Sequence, residues 1–305
     1  MSARPRRATP VTPVDEQLEA QMLSAPGQPI TPERRAFIAG AAANLTARDP
    51  EYVRRQLPLM WLLATMYFRA EVRGLERVPE DRPVLFVGNH SGGNMSPDSM
   101  VFMLAFNTFF GTERPIYALA HALVTAYPVL GALAKKWGVI TAGPKIAEAA
   151  LATGACVLVY PGGDVEVHRP WSARHEIRFD GRKGFVRLAR DAGVPIVPVV
   201  SVGGQDTYLP LTDGRGIARA LKLDKLARLK VVPISLALPW GLNVGDFAGH
   251  LPFPAKIRQE VLPPIDLRQR FGEDPDIDQA YGYVTSRMQE ALTALAAERV
   301  LPPFL

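Results

Sequence analysis

The sequence predicts an α/β fold with a mainly parallel central sheet flanked by helices, and three observations carry that prediction. Short, wholly apolar runs recur from Val84 onward, of the kind that fills a sheet buried on both faces. Each run is followed by a loop and a stretch of helical character, so strand and helix alternate. The loops after the first and fourth runs, 88–98 and 161–166, carry paired glycines and lie where an open α/β sheet places its ligands.

The chain divides near residue 50 into an N-terminal helical extension (1–50) and one domain (51–305). In the extension, helices are expected at 14–23 and 32–47, the second with a Thr31 cap and a proline at Pro32, where a missing N–H costs nothing. Residues 57–68, LPLMWLLATMYF, fall short of the roughly 20 apolar residues that cross a bilayer. Trp61, Tyr67 and Phe68 suit an interfacial helix, and ordinary helix packing accounts for the block equally well.

From there the expected order is strand 84–87, helix 99–110, strand 115–119, helix 128–137, strand 138–140, helix 145–153, strand 155–160, helix 184–191, and strands 195–201 and 229–238. Residues 215–230 combine spaced Ile, Ala and Leu with Arg219, Lys222, Lys225, Arg228 and Lys230, a pattern that fits either a helix on anionic lipid or one packed with a charged face outward. An acidic turn at 273–278 precedes a last helix ending near Glu298.

At 305 residues and 48% hydrophobic content the chain builds a substantial core. Its formal charge of +5 favours an anionic partner. Nucleic acid is not expected, because no concentrated basic stripe with exposed aromatics appears. The lone cysteine, Cys156, sits in an apolar run and reads as a buried structural thiol. No signal peptide is expected, since residues 1–13 are basic and proline-rich with no apolar run after them.

The residue most suited to chemistry is His90, whose neutral imidazole can take a proton from an alcohol near neutral pH. Asp98 is the nearest carboxylate able to fix its tautomer, provided the intervening loop doubles back, which Gly92 and Gly93 permit. The same glycines, or donors near Gly162, offer backbone N–H groups to an oxyanion. Alternatively, Asp98 caps a helix beginning near Ser99, and the two roles are compatible.

A second loop, 160–166, allows close approach of its backbone to a ligand at Gly162 and Gly163, with Glu166 placed to bind an acceptor hydroxyl or orient a loop. Arg178, Arg182 and Lys183 downstream suit a phosphate, or simply a solvated helix start. His168 and His175 read as surface or loop residues, and no metal site is expected.

Taken in order, several blocks over residues 57–267 resemble the glycerolipid acyltransferase superfamily that includes lysophosphatidic acid acyltransferases, especially its monoacylglycerol and diacylglycerol acyltransferase-like branch. The block Gly88-Asn89-His90-Ser91-Gly92-Gly93 with Asp98 resembles the catalytic histidine loop, and Gly138-Val139-Ile140-Thr141 the acceptor-pocket segment. The 160–166 loop stands where many members carry proline-glutamate-glycine-threonine-arginine, and 194–199 resembles a proline-bearing strand near the site. Arg182-Lys183-Gly184-Phe185 is similar to the neutral-lipid enzymes, and 251–257 to a late block of bacterial relatives.

The resemblance implies a glycerol-phosphate acyltransferase-like fold and an O-acyltransferase. His90 would be the general base, moving a fatty acyl group from acyl-CoA or acyl carrier protein to a glycerolipid or lysophospholipid hydroxyl, as in phospholipid biosynthesis. Asn89, Ser91, Gly92, Gly93, Thr141, Gly162, Gly163, Glu166, Arg178, Arg182 and Lys183 would bind substrate. No cofactor beyond the acyl donor is implied, and the protein would sit on the cytoplasmic face of a membrane, peripheral or monotopic.

Two departures stand out. The family's usual four residues between histidine and aspartate would put the acid at Met95, not Asp98, so either the loop bulges or another group such as Glu166 orients His90. The usual phosphate-contacting arginine is absent from its place, leaving Arg169, Arg178 or Arg182 as replacements or a phosphate-free acceptor. A non-catalytic lipid-binding or membrane-associated protein is the alternative. A hydrolase lacks its Gly-x-Ser-x-Gly elbow here, and the glycine loops match no nucleotide-binding spacing.

Overall fold

The computed structural model describes residues 45–126, 129–220, 231–247 and 249–299. The expected helix 14–23, nearly all of helix 32–47, and residues 221–230 of the basic segment lie outside the described residues. The described chain opens with α1 (Pro50–Met66), started by Pro50 and by the Asp49 carboxylate, which accepts the Tyr52 N–H at 2.9 Å. The block 57–68 forms most of this helix. It buries Ala64, while Leu59, Leu62, Leu63 and Met66 are exposed.

The elements that follow are β1 (Glu71–Arg73), β2 (Leu85–Gly88), α2 (Pro97–Phe110), β3 (Ile116–Ala120), α3 (Ala122–Ala126), α4 (Leu130–Lys136), β4 (Val139–Thr141), α5 (Pro144–Ala152) and β5 (Cys156–Val159). Then come α6 (Gly163–Val167), α7 (Gly184–Ala192), β6 (Ile196–Val202), β7 (Leu209–Thr212), α8 (Arg215–Ala220), β8 (Ile234–Ala237), β9 (Gly241–Val244), β10 (Arg258–Val261), α9 (Leu267–Phe271) and α10 (Ile277–Ala297).

Seven strands form one sheet in the order β1-β10-β6-β2-β5-β3-β4. All neighbours pair in parallel except β10 with β6. Strand alternation sorts the side chains onto two faces. Leu85 and Val87 of β2 point into a core closed by Ile146 and Leu151 of α5, Phe185 of α7, and Val284, Met288 and Leu292 of α10. Phe86, between them, faces the other way, where Phe102 and Phe106 of α2 meet it edge-on at 5.0 and 5.7 Å. Burying a phenylalanine this fully is worth roughly 2–3 kcal/mol of transfer free energy. Cys156 is part of that second face, and burial pushes its thiol pKa up, as expected of a structural thiol.

One expected strand is corrected. The run 229–238 is ordered as a strand only at β8, which lies outside the parallel sheet in a separate antiparallel sheet, β7-β8-β9. β1, β7, β9 and β10 were not expected. β1, EVR, is a three-residue edge strand, β10, RQEV, is mostly polar, and β7 contains Pro210, which masks its strand character.

Candidate active site

The site is built where β2 leaves the sheet. Asn89 extends the β2–β6 ladder with its side chain, donating to the Ser201 carbonyl at 2.9 Å and accepting the Ser201 N–H at 2.8 Å. The amide oxygen and one amide N–H of Asn89 are thus engaged by the scaffold. The last strand residue is Gly88, whose missing side chain makes room for the Tyr160 ring, since a Cβ there would come within 2.5 Å of it. That ring lies flat on the His90 imidazole, with centroids 4.1 Å apart and planes 14° apart.

His90 is held on four sides. Its N–H donates to Glu166 Oε2 at 2.9 Å, and its carbonyl accepts from the Arg169 guanidinium. Its Nδ1 lies 3.3 Å from Asp98 Oδ2, and its Nε2 3.3 Å from the Ser96 hydroxyl. A carboxylate only accepts, so Asp98 assigns the proton to Nδ1 and leaves the Nε2 lone pair on the side of the Ser96 hydroxyl. The His90 side chain retains 17% exposure, whereas Asp98 has none.

The chain doubles back to reach that acid through left-handed backbone at Gly92, Gly93 and Ser96, with φ of 90, 61 and 41°. Ser96 is then the N-cap of α2, and Asp98 the second residue of the helix. The expected start near Ser99 is thus two residues late, because Pro97 fills the first helical position. Asp98 Oδ2 also accepts the Ser91 N–H at 2.8 Å and its hydroxyl at 3.2 Å, while Oδ1 accepts the Ser99 N–H at 2.7 Å. The residue serves both the histidine and the helix start. Ser91 is buried behind the acid rather than open to substrate.

Two of the backbone N–H groups near the expected oxyanion position have partners within the protein. The Gly92 N–H donates to Gln205 Oε1 at 2.7 Å, and the Gly163 N–H to the Tyr160 carbonyl at 3.1 Å. Gly93 packs so closely on Asp246, His250 and Tyr208 that a Cβ would meet them at 2.7–3.1 Å. The Asn94 N–H and side-chain amide bond Asp246 Oδ2 and its carbonyl, each at 2.9 Å. Asp246 in turn accepts His250 Nδ1 at 2.9 Å. Burial alone would raise the Asp246 pKa, but the bonds from His250 and Asn94 bring it below the usual carboxylate range.

Glu166 is fully buried. It accepts the N–H groups of His90 and Arg178 at 2.9 and 3.0 Å, so it orients loops and does not meet an acceptor hydroxyl. Burial raises its pKa, opposed by the charge of Arg169. Gly162 makes room for it, since a Cβ there would stand 2.3 Å from the Glu166 Cβ.

The basic residues expected at a phosphate have protein partners. Arg169 is fully buried and spans the His90, Glu166 and Arg174 carbonyls, and burial lowers its pKa. Arg178 pairs with Glu176 at 2.7 Å. Arg182 donates to the Pro161 and Gly162 carbonyls at 3.1 and 2.9 Å and to Asp164, and Lys183 pairs with Asp278. Thr141 ends the edge strand β4 and shares a 2.8 Å hydrogen bond with Thr125, three strands or roughly 14 Å from β2. The structure does not bring it to His90.

His168 corrects a further expectation. It is buried, its Nδ1 has no partner among the described residues, and burial lowers its pKa to about 4. His175 is half-buried. No group of His, Cys, Asp and Glu able to hold a metal occurs among the described residues.

Comparison with known proteins follows this geometry. Residues 69–202 match the family model described as Acyltransferase. An uncharacterized protein of Mycobacterium tuberculosis is 30% identical over 77% of this chain and 63% of its own. The "DGAT1/2-independent enzyme synthesizing storage lipids" of Gallus gallus is 28% identical over 74% of this chain and 58% of its own. Diacylglycerol O-acyltransferase 2 of Dictyostelium discoideum is 32% identical over 46% of this chain and 43% of its own.

The crystal structure of the 1-acyl-sn-glycerophosphate (LPA) acyltransferase PlsC from Thermotoga maritima shares the fold. Its TM-score is 0.50 at 13% identity, covering 93% of this chain and 89% of that one. The chain spans 63% of the length of the mycobacterial relative. The segment 69–202, which is similar to the Acyltransferase family model, holds His90, Asp98 and Glu166 in the loops and helix starts that follow the strands of the shared fold.

Proposed function

We propose that the protein transfers a fatty acyl group from a thioester donor, acyl-CoA or acyl carrier protein, to a free hydroxyl of a glycerolipid, with His90 as general base. The observation that carries this reading is the His90 imidazole, backed at Nδ1 by a buried carboxylate and partly exposed, with Nε2 turned away from that acid. As the acceptor oxygen attacks the thioester carbonyl, its proton passes to Nε2 and the new C–O bond forms. Collapse of the tetrahedral species breaks the C–S bond, and the departing sulfur takes the proton back, leaving ester and thiol.

Asp98 stabilises the transient imidazolium. The internal commitments of Arg169, Arg178, Arg182 and Lys183 favour a neutral acceptor, monoacylglycerol or diacylglycerol, over a lysophospholipid. Such acceptors reside in bilayers, which supports action at a membrane surface.

A second reading rests on Ser96, whose hydroxyl completes a Ser–His–Asp row at 3.3 Å from Nε2 and would carry the acyl group between two transfers. Direct transfer is favoured, because that hydroxyl also has an acceptor in the Gly93 carbonyl at 2.9 Å. A matrix of acyl donors against monoacylglycerol, diacylglycerol and lysophosphatidate tests the whole. Ester formed best on the neutral acceptors, abolished in a folded His90→Ala variant and retained in Ser96→Ala, supports direct transfer. Turnover retained in His90→Ala overturns the base assignment, and loss in Ser96→Ala with a trapped acyl-serine selects the second reading.

A further inference from the structure

The small sheet β7-β8-β9 is built inside out. Its register places Leu209, Leu236 and Leu242 in one cross-strand row and Ile234 beside Val244 in the next, all on the same face. Leu236, Leu242 and Val244 are exposed, at 41, 63 and 53%. The residues between them, Pro210, Ser235 and Asn243, point inward and are buried. An antiparallel sheet with one wet face normally turns its apolar side to the core. Here Ser235 and Asn243 face the protein while Leu236, Leu242 and Val244 face out, the pattern expected of a surface that meets an apolar phase.

The sheet is joined to the site. Its inward Asn243 donates to Asp246 at 3.0 Å, and Asp246 holds Asn94 of the His90 loop. Gly249, after the hairpin, faces the sulfur of Met95, itself exposed in that loop. At the hairpin edge Trp240 is half exposed, with its indole N–H satisfied by the Gly249 carbonyl at 2.8 Å, as a side chain lying at a lipid headgroup boundary requires.

We infer that the outward face of β7-β8-β9 docks on the interface of an anionic lipid bilayer and sets the His90 loop against it. The occupant is a bilayer rather than a second copy of the chain because the surface adjoins a loop that must admit lipid, and the chain carries a formal charge of +5. The inference rests on the acyl-transfer reading only for the lipid acceptor. Docking itself is measured separately.

The test is flotation of the full chain with phosphatidylcholine–phosphatidylglycerol vesicles, comparing wild type with Leu236→Ser/Leu242→Ser. Both side chains are exposed, so melting temperature should not fall. Vesicle partitioning should drop about tenfold or more, since two leucines leave the lipid. Turnover of an acceptor presented in vesicles should fall in parallel, and turnover of a short-chain, water-soluble acceptor should not. Wild-type protein that fails to float, or a double variant that floats equally well, overturns the inference. So does a wild-type dimer in sedimentation that the substitutions dissociate without changing flotation. Sheet-dependent flotation without acyl transfer to any acceptor leaves docking standing and removes the proposed function, and the converse result does the reverse.

Discussion

Replacing Asp98 by asparagine removes one charge and turns one of two acceptor oxygens into a donor, at a position with no solvent exposure. Both oxygens already receive backbone N–H groups, Oδ2 from Ser91 at 2.8 Å and Oδ1 from Ser99 at 2.7 Å. Whichever way the new amide is turned, its NH2 meets an N–H. One buried donor left unpaired costs about 1–3 kcal/mol, and the remaining bonds lose their charge assistance, so a loss of about 2–4 kcal/mol is expected. For a chain of this size that is a fall in melting temperature of about 4–10 °C.

The rate suffers separately. An amide no longer compensates the imidazolium formed during transfer and does not fix the proton on Nδ1, so kcat should fall about 10²–10³-fold with KM nearly unchanged. Because Asp98 acts through His90, the double variant His90→Ala/Asp98→Asn should be no slower than His90→Ala alone. Steady-state kinetics and thermal melting on the same preparations check both arms. A kcat within about fivefold of wild type, beside a lowered melting temperature, would refute the catalytic pairing and leave Asp98 as a helix-start residue.

Gly88→Ala should push the Tyr160 ring off His90, because the added methyl group would stand 2.5 Å from that ring. We expect kcat to fall about tenfold and stability by about 1–3 kcal/mol, with Tyr160→Leu in the same chain restoring melting temperature but not rate. Glu166→Gln leaves one of the His90 and Arg178 N–H groups unpaired, and a loss of about 2–3 kcal/mol by denaturant titration is expected, with kcat reduced as His90 loosens. His168 supplies a pH test. Its folded pKa of about 4 lies below the usual 6.5, so its contribution is fully present above pH 6.5 and is lost as pH falls toward 4. That amounts to about 3 kcal/mol, read as a slope in melting temperature that His168→Asn should remove.

What the residues disclose before folding depends on how far each partner lies along the chain. The parallel strands were legible because a strand buried on both faces is apolar throughout, and Val84 to Val87 could hardly be anything else. The pairing of His90 with Asp98 was legible because the two are eight positions apart and glycines stand between them. The use of Gly92 N–H by Gln205 and of the Asn89 amide by Ser201 was not, since those partners lie 113 and 112 positions away. Arg178, Arg182 and Lys183 look like anion ligands until Glu176, Asp164 and Asp278 are seen beside them. β8, ISLA, alternates as a half-buried strand should, but alternation does not say which face is inside, and the usual assignment is the wrong one here.

The reach from His90 to Asp98 passes through a tight turn and three left-handed residues, yet the acid arrives at the second position of α2 and bonds Ser99 there. The helix start is therefore the ruler, and the loop between is fastened to Gln205 and Asp246 along the way. A fixed count of residues between histidine and acid will overlook chains like this one. A count from the first turn of the following helix will not.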